Sequence, residues 1–144
     1  MKFKSRKGSF LLVAMLLINS LFAYMIFVQF SGQKSQDLNR LIPLLVIFLS
    51  AFLVNWIYFS TYYVLDQTYL KYYSGPIKGS IKIDTIHQVV LGKTLWTGLK
   101  PATATKGIIV KFNTYDEIYI SPDSNELFVE ELLKLRPKVI VRSS

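Results

Sequence analysis

The sequence predicts a two-helix transmembrane hairpin joined directly to a small soluble α+β domain. Three observations carry that reading. Phe10–Phe30 and Leu41–Tyr63 are uncharged, almost wholly apolar runs. Residues 64–144 have ordinary globular composition, with apolar side chains at alternate positions in several segments. A single helical pattern, Phe128, Leu132 and Leu135, follows those segments. About 80 residues make one small domain and not two.

Taken in order, residues 1–9 form a basic arm, with Lys2, Lys4, Arg6 and Lys7. The first run has 21 residues, which at about 1.5 Å per residue spans roughly 31 Å, a hydrocarbon core's thickness. It is too long for a signal-peptide core and lacks a small-residue cleavage site, so an uncleaved span is expected. Residues 31–40 (SGQKSQDLNR) form a short polar loop suited to antiparallel helices. The second span, 41–63, carries Pro43 in its first turn, where a missing N–H costs least. Trp56, Tyr58, Tyr62 and Tyr63 crowd its far end, as amphipathic rings do at a headgroup layer.

Four basic residues precede the first span, against Lys34 and Arg40 in the loop. The positive-inside rule then makes this a two-pass protein of the cell (inner) membrane, with cytoplasmic termini and residues 31–40 outside. Asn19 and Asn55 fall at similar depth, so a mutual hydrogen bond is expected to pack the hairpin. No ionisable group lies in either span to suggest an ion path.

Beyond Tyr63, Thr61–Asp66 and Tyr69–Tyr73 read as a hairpin, and Ser74-Gly75-Pro76 as a turn. Ile77, Gly79, Ile81 and Ile83 alternate with polar residues as in a half-buried strand. Asp84 is a candidate cap for a short turn. Ile108, Val110 and Phe112 alternate, as do Ile118 and Ile120; pairing Phe112 with Ile118 and Val110 with Ile120 puts both sets on one face. Ser121 or Asp123 is expected to cap the helix, and Pro137 to end it. Val139–Val141 is a β-type tail with no assigned place.

Several chemistries are excluded. There is no cysteine and one histidine, His87, so thiolate sites, disulfides and multi-histidine metal sites are absent. Asp84 and His87 lack a nucleophile or metal to work with, and read as surface groups. Gly92-Lys93-Thr94 lacks the earlier glycine and following helix of a phosphate loop. No catalytic residue, cofactor, metal ligand or small-molecule substrate is expected. The net charge of +8 sits largely beside the first span, so nucleic-acid binding is not expected. The best recognition candidate is the irregular stretch Gly92–Lys106, where Lys93, Trp96, Lys100 and Lys106 suit lipid headgroups or a partner.

Tyr69-Leu70, Ser74-Gly75-Pro76, Ile83–Ile86, Lys100-Pro101-Ala102 and Ile120-Ser121-Pro122 occur in an order that resembles the bacterial PH-like (pleckstrin-homology-like) domain family of short membrane proteins. The resemblance covers about half the chain. It implies a PH-like antiparallel β-roll closed by one C-terminal helix. Combined with the two spans and cytoplasmic termini, the expected function is a membrane-anchored interaction module at the cytoplasmic face, binding a protein partner, another copy or lipid headgroups. The alternative the resemblance implies is an immunity protein against a membrane-active bacteriocin.

Overall fold

Alternating apolar and polar residues build two four-stranded sheets, and two long apolar helices project from the first. The computed structural model describes residues 1–31, 41–95 and 98–143. Strand β1 (Lys2–Lys4) leads into α1 (Ser9–Ser31), and α2 (Leu41–Ser60) returns into β2 (Tyr62–Leu65). Then come β3 (Tyr69–Ser74), β4 (Ile77–Lys82), a 3-10 turn (Ile83–Thr85), β5 (Ile86–Leu91), β6 (Ile108–Phe112), β7 (Asp116–Ile120), α3 (Asn125–Leu135) and β8 (Ile140–Ser143). The first sheet runs β1-β2-β3-β4 and the second β7-β6-β5-β8. Every pairing is antiparallel except β5 with β8, which is parallel and gives the C-terminal tail its place.

The core lies between the sheets. Phe3, Tyr63, Leu65, Leu70 and Ile81 turn inward from the first sheet, against Val89, Ile108, Val110, Ile118 and Ile120 of the second. Phe128 and Leu132 of α3 close it, and the Phe128 ring meets Phe3 edge-on at 5.2 Å. Each such apolar side chain withdrawn from water contributes about 1.5–3 kcal/mol.

The N-terminal residues differ from the expected free arm. Phe3 pairs with Tyr63 across β1 and β2 and is 2% exposed. The domain therefore begins before α1, and the helical hairpin is inserted between its first two strands. Lys2-Phe3-Lys4-Ser5 is itself a period-two pattern, in which the apolar and hydroxyl residues face in and the lysines out.

Both helices are long and apolar enough to cross a membrane, and little of either is buried within the protein. Asn55 Nδ2 donates to Asn19 Oδ1 at 3.0 Å between them. The loop expected at 31–40 falls, from residue 32 on, outside the described residues. The second helix ends at Ser60, not Tyr63, because Tyr62 and Tyr63 are drawn into extended pairing with β1 and β3. Lys7 Nζ donates to the Tyr58 carbonyl at that helix end, where a cation suits the macrodipole. Tyr63 is thus a core residue rather than an interfacial anchor.

Other departures have local causes. Val110 pairs with Ile118 and Phe112 with Asp116, two residues from the expected register. A slip of two keeps every side chain on its face. The tight turn is held by Asn113, at φ +51°, whose Nδ2 donates to Asp116 Oδ2 at 2.8 Å. Ser124 caps α3 by accepting from Leu127 N, since Ser121 is buried and otherwise engaged. Leu135 lies 40% exposed, while Val129 takes the core position. Ile77 is 45% exposed where β4 begins. Gly75, at φ +57°, brings the β3–β4 turn onto α2, where a Cβ would stand 2.7 Å from Ile57 Cγ1.

Removing Phe3 should cost what a core aromatic costs. Phe3→Ala is expected to lose about 3–5 kcal/mol, against under about 0.5 kcal/mol for the exposed Lys4→Ala. Chemical denaturation of the detergent-solubilised full chain, followed by β-sheet circular dichroism, measures both. Equal shifts would show that β1 does not belong to the domain.

Candidate functional site: a groove where the first helix meets the domain

The 92–106 connection leaves β5 at Gly92, whose φ of +75° suits glycine and whose N–H donates to the Gly107 carbonyl. That bond closes the excursion at its base. Lys106 N donates to Thr94 Oγ1 at 3.0 Å, and an isolated bridge joins Leu99 to Ile118 of β7. Gly107 is required by contact: a Cβ there would lie 2.2 Å from the Ile120 carbonyl oxygen.

Four buried hydroxyls then hold the loop against the N-terminal segment. Tyr63 Oη donates to the Pro101 carbonyl at 2.6 Å and accepts from Ser121 N at 3.0 Å. Thr103 Oγ1 donates to the Arg6 carbonyl at 2.7 Å. Ser121 Oγ accepts from Thr103 N at 3.1 Å and Ala104 N at 3.3 Å, leaving its proton for Ser5 Oγ at 3.0 Å. Ser5 in turn donates to Thr103 Oγ1 at 2.8 Å. Donors and acceptors balance around the ring, as buried polar groups require. Burial raises the Tyr63 pKa above its ordinary value, which keeps the phenol a donor.

Arg6 extends this clasp outward, with Nη2 donating to the Thr105 and Lys106 carbonyls at 2.8 and 2.9 Å. Lys7 faces the other way, over the Tyr58 ring at 4.4 Å. Desolvation lowers its pKa, while the ring and the carbonyl at the α2 terminus favour its charge.

Between the clasped loop and the first turn of α1 lies a groove of about 250 Å³. Phe10, Leu11 and Leu95 give it an apolar wall, and Thr94, Lys100 and Tyr119 contribute polar atoms. An apolar slot with few convergent polar groups is the usual form of a small-ligand site.

Of the residues singled out in the sequence, Lys100 lines this groove, and Lys93 and Lys106 are exposed along the same loop. Trp96 lies outside the described residues. Ser5, Arg6 and Thr103 carry no local signal, because the contacts that join the N-terminal segment to the loop, Ser5 to Thr103 and Thr103 to Arg6, span 98 and 97 residues. Asp84 pairs with Arg136 at 3.8 Å, whereas His87 is the extra residue of a bulge in β5 and points to solvent. Among the described residues no cluster of three His, Asp or Glu side chains suits a metal ion.

The order of two sheets and a closing helix agrees with a sequence comparison, in which the bacterial PH domain family matches residues 61–136. The chain belongs to the bacterial PH domain family. The match opens at Thr61, so it leaves out β1, Ser5 and Arg6, although the fold uses all three. A similar protein is the Uncharacterized protein YyaB of Bacillus subtilis (strain 168), 28% identical over 90 residues. Those residues are 62% of this chain and 62% of that relative's length. No solved structure matches. The short PH-family motifs now have a physical role: Pro101 and Ser121 are partners of Tyr63 in the clasp.

Tyr63→Phe keeps the ring but leaves the Pro101 carbonyl and Ser121 N–H short of a partner. A loss of about 1–3 kcal/mol is expected, with faster tryptic cleavage after Lys93 and Lys106 under native conditions. Unchanged cleavage rates would show that the phenol does not hold the loop.

Proposed function

We propose that the protein is a membrane-anchored PH-like interaction module, carried on two spans at the cytoplasmic face, whose 92–106 loop and adjoining groove engage anionic lipid headgroups. The observation that carries this reading is the pairing of β1 with β2 at the roots of both helices. It requires the two ends of the hairpin to lie on one side of any membrane the helices cross. It also argues for an uncleaved first helix, because cleavage would remove Phe3 and Ser5 from the domain. The apolar surfaces of α1 and α2, Phe10, Phe27, Phe48 and Phe52 among them, are exposed and need a cover that lipid supplies.

The cytoplasmic side follows from Lys2, Lys4, Arg6 and Lys7 before the first helix. The groove opens beside Phe10 at the start of α1, which puts Lys100 at headgroup level if that helix enters the bilayer. A lysine there gains at most about 1 kcal/mol from an anionic surface. Headgroup binding by three lysines is therefore modest, and suits a domain already tethered.

Two outcomes follow. A C-terminal reporter fusion should be active only inside the cell, with the chain remaining in carbonate-washed membranes. Activity outside would overturn the topology. In full-chain nanodiscs, hydrogen exchange across 92–106 should slow when phosphatidylglycerol replaces phosphatidylcholine, and Lys93→Gln, Lys100→Gln and Lys106→Gln together should abolish the difference. Equal exchange in both lipids would remove the headgroup role while leaving the anchor intact.

A further inference from the structure

The outward face of the first sheet takes no part in the groove, and its composition is one-sided. Alternation sends Lys2 and Lys4 of β1, Lys71 of β3, and Lys78 and Lys82 of β4 to this face, with Tyr62 and Tyr73 between them. Asp66, 3.8 Å from Lys71, is the one carboxylate among the described residues before Asp84. The acids gather elsewhere: Asp123, Glu126 and Glu130 are exposed on or just before α3, and Glu131 beside them is paired with Lys134 at 2.5 Å. Phe3 and Phe128 meet through their inward faces, so the outer surfaces of β1 and α3 look away from each other. The outward face of the first sheet is therefore basic, and the exposed side of α3 is acidic.

The two faces also share a range of heights above the helices. The β3–β4 turn packs on the last turn of α2 through Gly75 and Ile57, which sets Lys78 and Tyr73 at the base. Lys71 and Lys82 stand progressively farther out. Asp123 N donates to the Lys4 carbonyl at 2.9 Å, which puts the start of α3 at the same base. Its end, at Lys134 and Leu135, lies beside Met1 and Leu65 at the far end of β1 and β2.

We propose that this basic sheet face docks against the acidic face of α3 on a second copy of the chain, side by side in the plane of the membrane. The proposal rests on the anchored reading above. Exposed ion pairs are individually weak, but anchoring in one membrane gives every copy the same orientation and height and a high effective concentration. The contact joins two different surfaces, so it propagates as rows or rings rather than closing as a two-fold dimer. The bilayer is a poorer occupant. Lys82 is four residues beyond Lys78, about 13 Å along β4, past the roughly 8 Å over which charges act at physiological salt. Nucleic acid fits less well too. The Tyr62 ring is covered on one side by Lys2 Nζ, 4.1 Å from its centroid, and is stacked on Tyr73 at 4.6 Å, leaving it no open face for a base.

The chain has no native cysteine, so the contact can be read with two introduced thiols that remove no charge: Ser80→Cys on the basic face and Leu127→Cys on α3. Full chains carrying one or the other are mixed in phosphatidylcholine vesicles, with flotation confirming insertion. The expected result is a disulfide between chains in the mixture and little in either sample alone. Its yield should fall roughly tenfold at about 1 M salt, where screening acts within about 3 Å. Lys78→Glu with Lys82→Glu should abolish it, and Glu126→Lys with Glu130→Lys on the partner should restore it. No crosslink between inserted chains, equal yield in the unmixed samples, or indifference to charge reversal would overturn the proposal. Binding of phosphatidylglycerol vesicles or an oligonucleotide in place of the crosslink would overturn it as well. Failure to float would instead show that the anchored reading fails.

Discussion

Ser5 Oγ stands within hydrogen-bonding reach of Tyr63, Thr103 and Ser121, three hydroxyls that come from three separate parts of the chain. For that meeting to occur, β1 must lie on β2, the 92–106 loop must fold back over both, and β7 must end beside them. Each condition in turn supports the next. The β1–β2 pairing buries Phe3, which supplies the ring that Phe128 packs on, and so seats α3. The loop, once clasped, forms one wall of the groove. A fully satisfied buried network rigidifies its surroundings and is costly to break in part. The domain is thus built around polar contacts at its base as much as around the apolar core above them.

The same arrangement decides how helices and domain move together. Two chain connections, through residues 5–8 and through Thr61, join the hairpin to the first sheet. Gly8 N donates to the Thr103 carbonyl, and Thr61 Oγ1 donates to the Ile57 carbonyl while meeting Ser74 Oγ at 3.0 Å. Neither connection contains a flexible linker. A single tether leaves a domain free to swivel, whereas two tethers into adjacent strands fix its orientation. On the anchored reading, the proposed headgroup contact and the proposed association of copies both depend on that fixed orientation.

Local patterning made most of the fold legible in the sequence. The apolar runs, the Asp66–Thr68 hairpin, the Gly75-Pro76 turn and the β6–β7 parity all rest on side chains close in sequence, where period and turn chemistry apply. The β6–β7 register differs by two from the one parity suggests, because parity alone cannot distinguish slips of two, and the tight turn at Asn113 decides it. Ser121 has the local signature of a helix cap, but a long-range partner claims its hydroxyl. For the site, the lysines of the loop were visible and the clasp was not. Its signal lies in Lys2-Phe3-Lys4-Ser5, an alternation masked by the four basic residues of the arm, Lys2, Lys4, Arg6 and Lys7, which read as a topology marker beside the apolar run.

Charge shows the same limit from the other side. A net count of +8 says nothing about where opposite charges end up once the chain folds. Lys2 and Lys4 are separated from Lys78 by more than seventy residues, yet strand pairing lays them on one sheet face. The carboxylates at 123, 126, 130 and 131 are close in sequence and stay together on or just before α3. Segregation of this kind brings no benefit to a freely tumbling monomer, where separated like charges repel and solvent screens them. It gains an effect when orientation is restricted, because each face then meets the same complementary face on a neighbour. The insertion of the hairpin between β1 and β2, which restricts orientation, and the polarity of the domain are therefore two parts of one physical argument for association within a plane.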